Sequence, residues 1–238
     1  MRAAVRYFKD ITGLTRREHY RRRLNQIKQG ICYTNRDLFG RIEGPILFIH
    51  IPKAAGMSFI KALYNKERSL HATALDYRTV DPERFANSFC FAVTRNPYQR
   101  LISAYYYLHK GGKEIIDEVW RDLYLKPYKD INDFVINGLE KAILENAEHF
   151  IPQYRFVTDE SGQIICDYVG QLENLDEVAQ VLAQQGKILS LPKENTNSHA
   201  QTDVASTLSP EAIDTINRLY QQDFSLFNYP LLSITPSD

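Results

Sequence analysis

The chain has 238 residues, enough for a large domain with a full core, and its 44% hydrophobic and 24% charged content is that of an ordinary globular protein. No apolar run approaches the ~20 residues of a membrane-spanning helix, and the N-terminus MRAAVRYFKDITGLTRREHYRRRL has charge but no apolar signal core, so neither a span nor a secretory signal is expected. The net charge of zero hides an asymmetry: residues 1–30 hold nine Lys/Arg and two Asp/Glu, a net of +7, which leaves −7 on the rest.

Residues 1–43 read as a basic, mostly helical lead-in, followed by a single domain over 44–238. In the lead-in Tyr20, Leu24, Ile27 and Ile31 recur at helical spacing, with Arg16, Arg17, Arg21, Arg22 and Arg23 around them. Such an arm is either a solvated helix or a peripheral contact for an acidic membrane or glycan. Cys32, Cys90 and Cys166 are odd in number and far apart in the chain, which argues against a disulfide framework or zinc knuckle and fits a reducing compartment. Residues 45–51 form a continuous apolar run of the kind buried on both faces of a parallel sheet, and a helix is predicted over about 58–66. Residues 88–94, SFCFAVT, predict a second strand; Pro97 then opens a helix that ends at Gly111-Gly112. Helices broken at Pro127 and Gly138 fill 113–150, one of them starting at Asp130. A third strand is predicted near 163–169, then a helix from Asn174 or Asp176 to about Gln185 and a long polar loop over 190–209. Ser209-Pro210-Glu211 starts a last helix running to about Asp223. Strands alternating with helices, without a linker, predict a three-layer α/β/α fold around a mostly parallel sheet.

Two stretches carry candidate chemistry. ILFIHIPKAAGMSF, residues 46–59, has the form strand–loop–helix. The first N–H groups of the helix and its dipole favour an anion, Gly56 allows close backbone approach, Lys53 adds a charge and Ser58 a hydroxyl. A plain tight turn would use similar residues. The nucleotide-triphosphate pattern G-x-x-x-x-G-K-[ST] is absent, and the Lys precedes the Gly. In SFCFAVTRNPYQRLISAYYY, Arg95 falls at the carboxyl end of the second strand, where open parallel sheets bind ligands. Arg100 and Ser103 share one side of the next helix, a combination suited to phosphate. Two strand ends with two anion sites suit a ligand that is phosphorylated at both ends.

In these two motifs the chain resembles sulfotransferases that use 3′-phosphoadenosine-5′-phosphosulfate (PAPS), most closely the carbohydrate branch with heparan-sulfate 2-O- and chondroitin-type enzymes and bacterial relatives. The family's 5′-phosphosulfate loop is similar to HIPKAAGMS, residues 50–58, and its 3′-phosphate pattern R-x-P-x-x-R-x-x-S-x-Y to residues 95–105. Weaker matches are HATA at 71–74, HFIPQ at 149–153, DYVGQLENL at 167–175, NTNSH at 195–199 and YQQDFSLFNY at 220–229. The resemblance implies a P-loop NTPase-like fold, Lys53, Ala54, Ala55, Gly56, Met57 and Ser58 on the 5′ side, and Arg95 and Ser103 on the 3′-phosphate. It also implies a cover loop with Asn195, Ser198 and His199. Met57 stands where the family often has Thr, so a hydroxyl contact is lost. A glycan or glycolipid acceptor is implied, with no nucleic acid and no metal. The lack of an anchor suggests a cytoplasmic, bacterial protein, although a segment of an anchored enzyme would read the same way.

By analogy with phosphoryl transfer, positioning and electrostatics carry such a reaction, with Lys53 stabilising charge on the leaving oxygen. A general base would take the acceptor's proton. His19 lies in the basic arm, His50 reads as a hydrogen-bonded structural residue, His109 sits at a helix end and His199 in the cover loop. His71 and His149 remain, and the resemblance places the base of related enzymes near His71. Gln153 either steers a sugar or closes over the sheet. Glu173 is either a carboxylate base or a backbone acceptor at the start of the helix that follows it. Tyr105, Tyr106, Tyr107, Trp120, Tyr124 and Tyr128 either stack on sugars or pack helices. The rival functions are a P-loop-like kinase and a non-catalytic domain that binds PAP or sulfated glycans.

Overall fold

Each apolar run expected to be a strand contributes to one sheet. In the computed structural model, which describes residues 34–113, 115–187 and 203–233, β1 (Ile46–Ile49), β2 (Phe89–Thr94) and β3 (Tyr168–Gln171) lie side by side in that order, all parallel. Ile46 pairs with Phe89 and Ile49 with Ala92, while Phe91 pairs with Tyr168 and Thr94 with Gln171. Every residue of β1 is buried, as a parallel strand covered on both faces must be. Phe48 stacks on Phe59 and tilts against Phe91, at ring distances of 5.1 and 4.9 Å, so the helix after β1 is sealed to the sheet by aromatic packing.

The first strand ends two residues before its predicted limit, because the chain leaves the sheet at His50 to form the loop. The third strand lies further along than 163–169. Ile164 makes an antiparallel bridge with Thr158 instead, and Asp167 sets the register of β3. Its carboxylate Oδ2 accepts from Cys90 N at 2.7 Å, and its own N–H donates to Cys90 O at 2.8 Å. Cys90 and Cys166, remote in sequence, are free thiols with their sulfurs 3.4 Å apart across these strands.

Helices follow the strands as expected: Gly56–Tyr64 after β1, Pro97–His109 after β2 and Leu175–Gln184 after β3. Asp130 caps Ile131–Asn137, and Gly138 separates it from Leu139–Leu144. Ser209 caps Pro210–Leu219, but a break at Tyr220 separates it from Gln221–Leu226, and the Tyr220 hydroxyl is held by Phe150 O at 2.8 Å. Ile115–Trp120 runs on into a π-helical turn, Arg121–Leu125. The sequence reading passed over Ala74–Val80, although Thr73 and Asp76 form a capping box that signals it. Within the predicted loop over 190–209, Val204–Thr207 is a short helix. Leu38, Phe39 and Ile42, ahead of β1, belong to the common core. No described helix is long and apolar enough to cross a membrane.

Arg100 departs from its expected part in a phosphate fork. It is 1% exposed, with Nε donating to Pro52 O at 3.1 Å and Nη2 to Ile151 O at 2.7 Å and His149 O at 3.4 Å. The fully buried Asp223 accepts from the N–H groups of Gln153 and Tyr154 at 2.8 and 2.9 Å; burial pushes its carboxyl pKa up, and the Arg100 charge pulls against that. The guanidinium is therefore consumed inside the fold, where it ties the loop after β1 to the segment at 149–151. Arg100→Met is expected to lose about 3–5 kcal/mol in urea unfolding, since it strands carbonyls and leaves Asp223 without its cation. A loss under about 1 kcal/mol would show that the guanidinium is not structural.

Candidate active site

Backbone conformation sets up the loop between β1 and its helix. Lys53 and Ala55 have φ of 68° and 58°, left-handed values uncommon for residues with a side chain. Ala54 N donates to Ile51 O at 3.4 Å and Ser58 N to Ala55 O at 3.0 Å. The N–H groups of Lys53, Ala55, Gly56 and Met57 donate to no acceptor among the described residues, and Ala55 at the N-cap has no side chain to supply one. Left-handed turns at a helix start gather such N–H groups into an anion-binding concavity. Met57 is 37% exposed and adds no hydroxyl, so at this position only the backbone is available to an anion. Gly56 has a further reason to be glycine: a Cβ there would fall 1.8 Å from the His50 ring.

Behind the loop the histidines meet. The rings of His50 and His71 lie 4.6 Å apart and those of His71 and His149 5.8 Å apart, both edge to face. His50 was expected to be a hydrogen-bonded structural residue, but its buried Nδ1 has no hydrogen-bond partner among the described residues; the same holds for His149, whose Nδ1 lies 4.0 Å from Glu148 Oε1. Burial, with neighbouring positive groups, pushes both imidazoles well below their ordinary pKa, so both are neutral near pH 7. His71 is more open, its side chain 21% exposed, and its Nδ1 lies 3.3 Å from Glu148 Oε1. A carboxylate at Nδ1 fixes the tautomer and leaves Nε2 as the acceptor. Sequence reasoning missed Glu148, whose partner is 77 positions away.

Lys53 Nζ sits 3.8 Å from the centroid of the Tyr107 ring, and Tyr107 also stacks on His149 at 5.6 Å. Burial, then Arg95 and Lys113, lower the Lys53 pKa to about 8, against the opposing pull of Asp117. Of the aromatic residues noted in the sequence, Tyr105, Trp120 and Tyr124 are buried in the core, while Tyr107 faces the site.

The second motif joins the first through Arg95, whose Nη1 donates to Lys53 O at 3.3 Å. Gln153 is fully buried and clamps the Arg95 backbone, accepting from its N–H at 2.9 Å and donating to its carbonyl at 2.8 Å. That commitment removes Gln153 as a sugar contact. Glu173 is likewise committed: Oε1 accepts from Asn96 N at 2.8 Å and Oε2 from the Tyr229 hydroxyl at 3.0 Å. It serves the start of the Pro97–His109 helix rather than the helix that follows it in sequence. Asn96 caps that helix, accepting from Tyr98 N and Gln99 N, so this N-terminus is closed where the first is open. Ser103 is half-buried about two turns along, and no hydrogen bond links it to Arg95 among the described residues. Asn195, Ser198 and His199 lie outside the described residues, as does the basic arm. Among the described residues no cluster of three or more His, Cys, Asp or Glu is arranged to hold a metal ion.

A family model described as "Sulfotransferase family" matches residues 43–230. No curated protein and no solved structure gave a match.

The Lys53 ammonium costs stability where it stands. Below pH 8 it is charged in both the folded and the unfolded chain, and the burial cost is fully present. Between about 8 and its ordinary value of 10.5 the unfolded chain keeps a proton that the folded one has released, so stability rises with pH. Lys53→Met is expected to stabilise the protein by about 1–3 kcal/mol at pH 7, with the gain shrinking as pH rises toward 10. Thermal unfolding across that range checks it, and a gain that stays level with pH would contradict the assignment.

Proposed function

The chain belongs to the sulfotransferase family, and from that premise we propose that it transfers a sulfuryl group from PAPS to a hydroxyl of a carbohydrate or glycolipid, releasing PAP. The observation that carries this reading is the set of four N–H groups, of Lys53, Ala55, Gly56 and Met57, that have no acceptor among the described residues, joined by Arg95 to the second motif. The residues present fit such a donor. Bound PAPS supplies the activated sulfuryl group together with a 3′-phosphate as a second anionic handle.

In this reading Lys53, Ala55, Gly56 and Met57 turn backbone N–H groups to the 5′ end, and Ala54 and Ser58, whose own N–H groups close the loop, flank it. Lys53 stabilises the charge that grows on the leaving oxygen, a task for which it must be protonated. Arg95 and Ser103 take the 3′-phosphate, and Asn195, Ser198 and His199 cover the nucleotide. The Arg95 guanidinium, which rests on Lys53 O, keeps the two ends in register. His71 Nε2 accepts the proton of the acceptor hydroxyl, with Nδ1–H turned to Glu148. His149 is the second candidate, but it is 5% exposed and less accessible to an acceptor than His71. The sheet β1–β3 and the helices around it are proposed to form a three-layer, P-loop NTPase-like arrangement. The carbohydrate branch is supported by the motif resemblance.

Calorimetry with PAP and AMP tests the donor site. The native chain is expected to bind PAP well above AMP, and Arg95→Ala to lose about tenfold or more of that preference; equal binding of the two nucleotides would remove the 3′-phosphate assignment. For the base, His71→Asn is expected to keep its PAP affinity while transfer to chemically desulfated heparan or chondroitin chains drops about 100-fold or more. Undiminished transfer in that variant would exclude His71.

A further inference from the structure

We propose that Asp117, acting through the Tyr107 hydroxyl, is a positioning residue that holds the Lys53 ammonium in place and in its protonated form. This rests on the reading of Lys53 as the group that stabilises the leaving oxygen. Neither Asp117 nor Tyr107 belongs to either sequence motif assigned to PAPS.

The chain of contacts is continuous. The Lys53 ammonium lies over the face of the Tyr107 ring at 3.8 Å, where the ring's negative π face attracts a cation. The Tyr107 hydroxyl donates to Asp117 Oδ2 at 2.7 Å, a short charge-assisted bond. A phenol that donates to a carboxylate is richer in electrons across its ring, so the bond strengthens the hold on the cation above it. Asp117 is 5% exposed, and its Oδ2 also accepts from Lys113 N at 2.8 Å. Gly112, at φ +62°, is folded against this carboxylate: a Cβ there would stand 2.3 Å from Oδ2 and 2.4 Å from Cγ. Gly112, in the turn that ends the Pro97–His109 helix, thus lets the backbone pass close to a buried acid.

The charges around Lys53 show why the acid matters. Arg95 and Lys113 repel the ammonium, and Asp117 is the negative group that opposes them. The neighbouring His50 and His149 are held neutral by burial. Lys53 also stands at a left-handed backbone position, and its side chain finds support outside its own loop, on Tyr107. The Tyr107 ring provides that support and, through its stack on His149, aligns the lysine with the histidine row.

The test reads Lys53 itself. Competitive acetylation with acetic anhydride over a pH series, followed by mass spectrometry of the peptide carrying Lys53, gives its titration midpoint without any need for turnover. Asp117→Asn is expected to lower that midpoint by about half a pH unit or more, and Tyr107→Phe to lower it by a smaller amount. The alkaline limb of transfer to desulfated heparan or chondroitin chains should move with it, and kcat should fall about tenfold or more with little change in KM for PAPS. Tyr107→Phe keeps the ring and its packing, so it serves if Asp117→Asn does not fold. An unchanged Lys53 midpoint in folded Asp117→Asn, or in Tyr107→Phe, would overturn the proposal. A shifted midpoint in a chain whose native form binds no PAP would uphold the coupling and overturn the sulfotransfer reading instead.

Discussion

Arg100 gathers carbonyls from Pro52, His149 and Ile151 onto one guanidinium, and the geometry of the site depends on that knot. A loop with left-handed residues at Lys53 and Ala55 and four undirected N–H groups is not a low-energy conformation by itself. It persists because its base, at Pro52, is fastened from behind to the Pro97–His109 helix. The same cation fixes the segment that carries His149 and Glu148, so one buried side chain sets the loop after β1 against the histidine row. Asp223 makes the arrangement affordable, since a guanidinium this deep needs both hydrogen bonds and a counter-charge.

The second constraint is electrostatic. An anion site needs positive charge, and Lys53, Arg95 and Lys113 provide it within mutual reach. Three charged histidines beside them would be intolerable. Burial resolves the conflict for His50 and His149 by keeping them uncharged, while His71 sits nearer to solvent with Glu148 at its Nδ1. Three similar rings thereby differ: two form a buried neutral wall, and the third is the more exposed one, with Glu148 nearer to its Nδ1 than to that of His149. The depressed Lys53 is the cost of the arrangement, paired with Tyr107 and Asp117 behind it.

Much of this was legible where the determinants are local. The buried strands, the helices after β1 and β2, the caps at Asp130 and Ser209 and the breaks at Gly138 and Gly111-Gly112 follow from patterns within a few residues. The places of the loop after β1 and of Arg95 after β2 were legible for the same reason. What could not be read depends on partners far along the chain. Arg95 and Arg100 are the same residue type five positions apart, yet one reaches the carbonyl of Lys53 and the other is spent on carbonyls from two remote segments. Tyr105 and Tyr107 differ by two positions, and one turns into the core while the other turns under Lys53. Gly56 shows the limit of motif reasoning. Its role toward an anion was inferred, but the ring of His50 that also demands a glycine was invisible until the loop folded back. Gln153 and Glu173 were each open to a ligand-facing or a structural role, and both close the backbone, around Arg95 and Asn96.

The central claim is that the unpaired N–H groups of Lys53, Ala55, Gly56 and Met57 are the anion site of this fold. A nitrogen-15 NMR titration with PAP observes those amides directly. The account expects their resonances to move most and to saturate together with the signals of the Arg95 side chain, and inorganic phosphate to move the loop amides alone. Saturable PAP binding that leaves these four amides unmoved would contradict it.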